Sequence, residues 1–391
     1  MTERRRHTGP EGSEERGAGV TEVRAAGITP VVMPKWGLSM KEGKVVGWLV
    51  ADGDDIAVGT ELMDVETDKI NGSVEATDAG RLRRRVAEDG HTYPVKALLG
   101  VLADEAVSDE DIDAFIAGYV VPADDEEDED GGGYDVAEVD GIRVRYSRQG
   151  TGDKTVVLLH GFGGDLDNWL FNLGPLAAVA DVVALDLPGH GQSDIALPGP
   201  SVEALAGFVA AFLDRLGIGR AHLVGHSLGA AVAAQLALDR PERVAGLVLV
   251  APAGFGPEIN MEYIDGFVRA SGKKDLKGVL GQLFADESLV TRSLVDGVLR
   301  YKRLDGVGNL LESLSAGVFP DGRQAAQPGR TLDARSVPVT VVWGGDDRVI
   351  PAAHADAAPE GATVVVLEKA GHMVQMERAG EVNELLLAQL T

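Results

Sequence analysis

Ser227 stands in Gly225-His226-Ser227-Leu228-Gly229, after the apolar run His222 to Gly225 and before the small-residue stretch Ala230 to Asp239. Glycines flank a serine where a sharp strand-to-helix turn brings its backbone against neighbouring strands, and such a turn presents the hydroxyl as a nucleophile. A serine becomes nucleophilic only beside a base that takes its proton and an acid that orients the base. Both residue types follow in the order Ser, Asp, His: Trp343-Gly344-Gly345-Asp346-Asp347-Arg348-Val349-Ile350-Pro351 after one apolar run, and Gly371-His372 after the next. His372 is expected to accept and return the Ser227 proton, with Asp347 or Asp346 fixing its tautomer. The oxyanion formed on an attacked carbonyl needs two fixed N–H donors. The expected donors are Phe162, in His160-Gly161-Phe162-Gly163-Gly164, and Leu228. Asp167, Asn168 and Trp169 follow that loop, where facing the pocket and ordinary packing are equally open.

A second reactive position is Lys69, in Val65-Glu66-Thr67-Asp68-Lys69-Ile70-Asn71 between two strand-like runs. This places it at the exposed tip of a β-hairpin. The remaining histidines carry no chemistry by pattern: His226 packs inside the turn, His190 belongs to a Gly-His-Gly-Gln-Ser turn, and His7, His91, His222 and His354 are incidental. No metal-ligand cluster is expected.

Two folded domains must position these groups. From about Ile28 to Leu102, short apolar runs (Val31 to Met33, Val45 to Val50, Glu61 to Val65, Gly72 to Glu75, Gly80 to Val86, Val95 to Leu102) alternate with Gly- and Asp-rich turns, predicting a small all-β sandwich over 28–104. Residues 105–133 are predicted to hold one short helix, capped by Ser108 and Asp111 with Ile112, Phe115, Ile116 and Tyr119 on one face, and then a flexible acidic linker. The linker runs through seven consecutive acidic residues, Asp124 to Asp130, into Gly131-Gly132-Gly133. Residues 134–391 read as alternating strands and helices, with buried parallel strands at Val156 to His160, Val182 to Asp186, His222 to Gly225, Leu247 to Val250, Val339 to Trp343 and Val364 to Leu367. Helical signals alone fill about 253–327, the usual place for a cap over the site of a doubly wound sheet.

The 391 residues carry a net charge of −26, which disfavours nucleic acid and anionic membranes as partners. With no cysteine, disulfides, thiolate metal ligands and a cysteine nucleophile are excluded. Residues 1–27 are charged and Gly-rich without an apolar core segment, so a disordered tail and a cytoplasmic location are expected.

The flanks of Lys69 resemble the lipoyl-domain attachment motif, with Asp68 before the lysine and Gly53 and Gly80 at the offsets of that family. Met33-Pro34-Lys35-Trp36-Gly37-Leu38-Ser39-Met40 with Glu42-Gly43 and Trp48 resembles the start of lipoyl domains. Biotin carriers share the fold but flank the lysine with methionines, so lipoate is favoured. The large block resembles the α/β-hydrolase fold, whose spacing from Gly344 to Pro351 makes Asp347 the better acid and Asp346 the alternative.

Residues 30–391 together resemble the acetyltransferase subunits of acetoin dehydrogenase systems, which join a lipoyl domain to an α/β-hydrolase domain. The resemblance extends to Pro257-Glu258-Ile259-Asn260, Tyr301-Lys302-Arg303-Leu304-Asp305-Gly306 and Gly371-His372-Met373-Val374-Gln375-Met376-Glu377. It implies lipoate bound covalently to Lys69, coenzyme A as acyl acceptor, and transfer of acetyl between them; two routes are open, an acetyl-Ser227 intermediate, or a ternary complex in which His372 deprotonates the coenzyme A thiol and Ser227 only stabilises the oxyanion. It also implies a thiamine-diphosphate-dependent acetoin-cleaving component and dihydrolipoamide dehydrogenase as partners, with the chain a homo-oligomer in their complex. Coenzyme A phosphates would meet the cap cations Arg269, Lys273, Lys274, Lys277, Arg300, Lys302 and Arg303, with Lys273, Lys274, Lys302 and Arg303 put first. Pyruvate-type acyltransferases carry a second small docking domain, and no such segment lies between Asp104 and Gly133. Two rival readings are a serine esterase or thioesterase fused to a carrier domain and a non-catalytic scaffold. The carrier lysine counts against the first and the intact serine, aspartate and histidine set against the second.

Overall fold

The computed structural model describes residues 27–36, 40–67, 71–122 and 133–390. The first domain consists of β1 (Ile28–Val32), β2 (Glu42–Trp48), β3 (Asp55–Ile56), β4 (Glu61–Glu66), β5 (Asn71–Glu75), β6 (Gly80–Arg85), β7 (Thr92–Pro94) and β8 (Leu98–Ala103). They pair as two four-stranded sheets, β1-β8-β6-β3 and β5-β4-β2-β7. Alternate side chains point inward, so Val31, Met33, Val45, Leu62, Val65, Leu82, Leu99 and Leu102 form one core between the sheets. β4 and β5 are antiparallel with Glu66 opposite Asn71. Lys69, with Asp68 and Ile70, lies between them in sequence and outside the described residues, as does Gly37-Leu38-Ser39.

Helix α1 (Asp109–Gly118) begins where the Ser108 hydroxyl accepts the Asp111 N–H. It folds back on the sandwich, burying Ile112 against Ile28, Leu98, Val101 and Ala103. The acidic run Asp124 to Asp130, Gly131, Gly132 and the tail 1–26 lie outside the described residues.

The second domain runs β9 (Tyr134–Val139), β10 (Ile142–Gln149), β11 (Thr155–Leu159), α2 (Leu170–Ala177), β12 (Asp181–Leu185), α3 (Val202–Arg215), β13 (Ala221–His226), α4 (Leu228–Asp239) and β14 (Val244–Val250). After α5 (Met261–Arg269), α6 (Lys273–Leu280), α7 (Arg292–Lys302) and α8 (Val307–Val318), the sheet resumes with β15 (Val339–Gly344) and β16 (Thr363–Leu367), followed by α9 (Val374–Glu377) and α10 (Ala379–Ala388). The strand order is β16-β15-β14-β13-β11-β12-β10-β9. The six runs read as parallel strands are β11 to β16, each parallel to its neighbours among them. β9 and β10 extend this sheet as an antiparallel edge that the sequence reading did not separate out. Their connection is Asp140-Gly141, with φ of 51° and 80°, the left-handed two-residue turn that suits a hairpin.

The central strands β14 and β15 are buried on both faces because α3 and α4 cover one side and α2 and α10 the other. Helices α5 to α8 occupy the stretch between β14 and β15 where the alternation broke. They pack Leu276, Leu280, Val295, Leu299, Leu311 and Leu314 into the same core as the sheet. A cavity is left between these helices and the carboxyl ends of the strands.

Candidate active site

Ser227 is the hinge between β13 and α4, with φ 52° and ψ −116°, a backbone conformation that a non-glycine residue holds only under constraint. The constraint is visible: the Ser227 N–H donates to Val250 O at 2.9 Å, and the Ala253 N–H donates to Ser227 O at 3.0 Å. A Cβ at Gly225 would stand 2.4 Å from Gly229 O, and one at Gly229 would stand 2.3 Å from Leu159 O. Both glycines are therefore required by close backbone approach, and the turn leaves Ser227 8% exposed at the cavity floor.

Asp347 and His372 meet across the loops that follow β15 and β16. His372 Nδ1 lies 2.8 Å from Asp347 Oδ2, with both side chains almost fully buried. The same oxygen accepts the Trp343 indole N–H at 3.1 Å, and Oδ1 accepts the Val349 and Ile350 N–H groups at 2.8 and 3.0 Å. Four donors thus fix the carboxylate, which in turn orients the imidazole. Asp346, the alternative acid, is exposed, and the His372 contact is made by Asp347. His372, Ser227, Gly161 and Phe162 line one cavity, and Leu228 opens α4 directly after the serine. Asp167 and Asn168 also line it, whereas Trp169 is fully buried in the core beneath the sheet.

Three buried histidines hold the loops around the serine. His160 Nε2 accepts the Leu187 N–H at 2.9 Å while its Nδ1 faces Gly161 O at 2.8 Å, a pattern that only the neutral Nδ1–H tautomer satisfies. His226 Nε2 donates to His372 O at 2.9 Å, and its ring lies 4.7 Å from the His372 ring. His190 lies between the rings of His160 and Tyr301. Burial lowers the pKa of His160 to about 4 and of His190 to about 3, and pushes His226 well below its ordinary value.

These groups titrate near pH 6.5 once unfolded, so between that pH and about 4 the unfolded chain binds more protons than the folded one. Stability should fall as pH drops through this window, by up to about 1.4 kcal/mol per group per unit. Urea midpoints at pH 7.5 and 5 should separate clearly, and His190→Gln should flatten the dependence. An unchanged slope in that variant would count against the assignment of His190.

The cavity measures about 480 Å³ and is mostly apolar, with Phe162, Ile264, Phe267, Leu283 and Phe319 in its walls. A volume of this order suits an extended small-molecule arm rather than a two-carbon group alone. Among the described residues, no group of three or more His, Cys, Asp or Glu is placed to hold a metal ion, and no helix is long and apolar enough to cross a membrane.

Known proteins decide what such a site belongs to. Residues 154–379 match the α/β hydrolase fold family, and residues 29–102 match the biotin-requiring enzyme family. Over 364 residues the chain is 58% identical to the dihydrolipoyllysine-residue acetyltransferase component of the acetoin cleaving system of Cupriavidus necator, covering 93% of this chain and 97% of that protein. The chain belongs to this acetyltransferase family. A counterpart from Pseudomonas putida is 47% identical over 371 residues, covering 93% of this chain and 98% of its own. Among solved structures, the meta-cleavage product hydrolase of Pseudomonas fluorescens is 23% identical with a TM-score of 0.59, covering 66% of this chain and 97% of that one. That likeness speaks to the fold of the second domain.

In this dihydrolipoyllysine-residue acetyltransferase the cap cations divide by what they touch. Lys302 donates to the Phe267 and Val268 carbonyls and lies over the Phe267 ring, and burial lowers its pKa. Lys273 pairs with Asp296, while Lys274 and Arg303 are exposed. Of the seven cap cations, Arg300 is the one that lines the cavity. A further residue of this acetyltransferase carried no signal beyond its place in the Gly371 to Glu377 segment. Glu377 accepts the Gly371 N–H at 2.6 Å and the Ala285 N–H at 2.7 Å, tying the loop of His372 to the cap. His354, read as incidental, bonds Glu258 at 2.8 Å and so braces the start of the cap.

Proposed function

We propose that this acetyltransferase moves acetyl from an acetylated dihydrolipoyl group on Lys69 to coenzyme A through Ser227. The observation that supports the reading best is the His372 to Asp347 contact of 2.8 Å on the wall of the cavity that Ser227 also lines. The β4–β5 frame fits a carrier lysine, since its register leaves the four residues 67–70 between the paired Glu66 and Asn71. When attached there, lipoate supplies a flexible thiol arm that holds acyl as a thioester.

His372 takes the Ser227 proton as Oγ attacks the thioester carbonyl, and the Phe162 and Leu228 N–H groups receive the oxyanion. The carbon–sulfur bond breaks, the proton passes from His372 to the departing thiolate, and acetyl remains on Ser227. His372 then takes the proton of the coenzyme A thiol, whose sulfur attacks the ester, and the proton returns to Ser227 Oγ. Asp347 stabilises the imidazolium in both halves. The net change is one thioester for another. Arg300 is the cap cation on the cavity wall and suits a phosphate of coenzyme A, in place of the four put first from sequence, whereas Arg145 on the same wall is paired with Asp186. The acidic stretch 123–132 serves as tether between carrier and enzyme, and the acetoin-cleaving and dihydrolipoamide dehydrogenase components are the proposed partners.

The same three residues could serve water as acceptor. The test supplies acetylated dihydrolipoamide with coenzyme A and quantifies acetyl-coenzyme A and acetate together. Acetyl-coenzyme A should dominate. Acetate formed regardless of coenzyme A would make the domain a hydrolase.

A further inference from the structure

Helices α2 and α10 pack side by side on the face of the hydrolase domain next to the cavity. Asn172 Nδ2 donates to Asn383 Oδ1 at 2.7 Å, and Asn383 Nδ2 donates to Phe171 O at 3.1 Å. Leu170, the first residue of α2, and Asp167 and Asn168 just before it line the cavity, as does Met376 of α9 just before α10. The next residue along α2, Phe171, turns its ring outward, and the first domain is seated on it. The Trp36 ring meets the Phe171 ring edge-on, with centroids 5.0 Å apart and planes at 75°. Gly72 is pressed so close that a Cβ there would lie 2.5 Å from Phe171 Cζ.

A second contact lies one strand-length away. The half-buried Glu75 carboxylate is pressed against Gly380 in the first turn of α10, where Arg378 gives no side-chain cap and a Cβ at Gly380 would lie 2.3 Å from Glu75 Oε2. The first N–H groups of a helix lack partners within it and favour a carboxylate, but burial and the nearby Glu61, Glu381 and Glu384 carboxylates outweigh this and push the Glu75 pKa up, so the contact is weak. Gly72 and Glu75 both belong to β5, and Gly72 follows Lys69 by three residues in sequence.

We propose that the α2–α10 face is a docking site for this chain's own lipoyl domain, formed by Phe171 and the backbone at Gly380, which holds the β4–β5 hairpin beside the cavity. The proposal rests on the acyltransfer reading above for its purpose, though not for its geometry. A tether alone would present the arm at random orientations and at millimolar effective concentration. A seat adjoining the cavity wall restricts the search to a short stretch of surface. The seat is small: one aromatic pair and two close contacts at glycines, Gly72 on Phe171 and Glu75 on Gly380. It therefore releases the domain readily, as a carrier serving more than one partner requires.

The experiment uses the full lipoylated chain with its arm reduced and chemically acetylated, mixed rapidly with coenzyme A. Gly72→Leu should slow acetyl-coenzyme A formation from the arm about tenfold, while free acetylated dihydrolipoamide is used at the natural rate. Combining it with Phe171→Ala, which makes room for the leucine, should recover about a third of the lost rate or more. Mass spectrometry of the Lys69 peptide verifies equal loading, and Trp36→Ala replaces Gly72→Leu should the latter lipoylate poorly. Hydrogen exchange over residues 379–384 supplies a readout independent of catalysis, with faster exchange expected in Gly72→Leu. Natural transfer from the arm in both carrier variants, or exchange that neither variant alters, would overturn the docking site. A natural chain that makes no acetyl-coenzyme A even from the free thioester would instead strike the acyltransfer reading, and exchange would still decide the docking.

Discussion

Ser227→Ala should lower acetyl-coenzyme A formation by about 10⁴-fold or more, with both the free thioester and the loaded arm as donor. The size follows from the division of labour in the site. Removing the hydroxyl abolishes the covalent route, so that His372 and Asp347 lose the partner they act on. The two N–H donors stay, because the turn is held by backbone bonds to Val250 and Ala253 rather than by the hydroxyl. Residual activity would then measure what the oxyanion site and His372 can do alone on a coenzyme A thiol. Rapid mixing of the natural chain with an acetyl thioester, without coenzyme A, should trap acetyl on the Ser227 peptide. Turnover that persists at a substantial rate in Ser227→Ala, with no trapped ester in the natural chain, would mean that His372 deprotonates coenzyme A directly and that the serine is no nucleophile.

How much of this was legible beforehand depended on the range of the interactions. Strands β11 to β16 are continuous apolar runs because both faces are covered, and that signature survives in a single sequence. The serine turn was equally legible, since Gly225 and Gly229 are dictated by contacts within a few residues and with one adjacent strand. β9 and β10 escaped because polar residues alternate along an exposed edge, although Asp140-Gly141 marked the turn between them. The cap cations were the weakest reading. A run of basic residues shows that charge is present but not which carbonyl or carboxylate claims it. Lys302 turned inward to two backbone carbonyls and Lys273 to Asp296, leaving Arg300 at the cavity. Glu377 was hidden for the same reason, since its partners Gly371 and Ala285 come from the His372 loop and the cap and meet only in the folded chain.

Lys69→Arg should reduce acetyl-coenzyme A formation in the assembled system about 10³-fold or more while leaving transfer from free acetylated dihydrolipoamide intact. Arginine keeps the charge but offers no primary amine for the amide link to lipoate, so the arm cannot be installed. What is lost is then carriage rather than chemistry. A tethered arm faces the site at roughly millimolar concentration, and even a stray lipoyl carrier at roughly micromolar level would restore only about a thousandth of that, so about 10³-fold is the least loss expected. The same arithmetic predicts rescue, because added dihydrolipoamide in the millimolar range should return a large part of the flux. Because Lys69 belongs to the sandwich and Ser227 to the sheet domain, the two variants should complement each other only if a carrier domain from one chain can reach the site of another. Mixing them therefore measures how far delivery is confined to a single chain. Full activity in Lys69→Arg alone, in the absence of added carrier, would show that the arm is not on the route to coenzyme A at all.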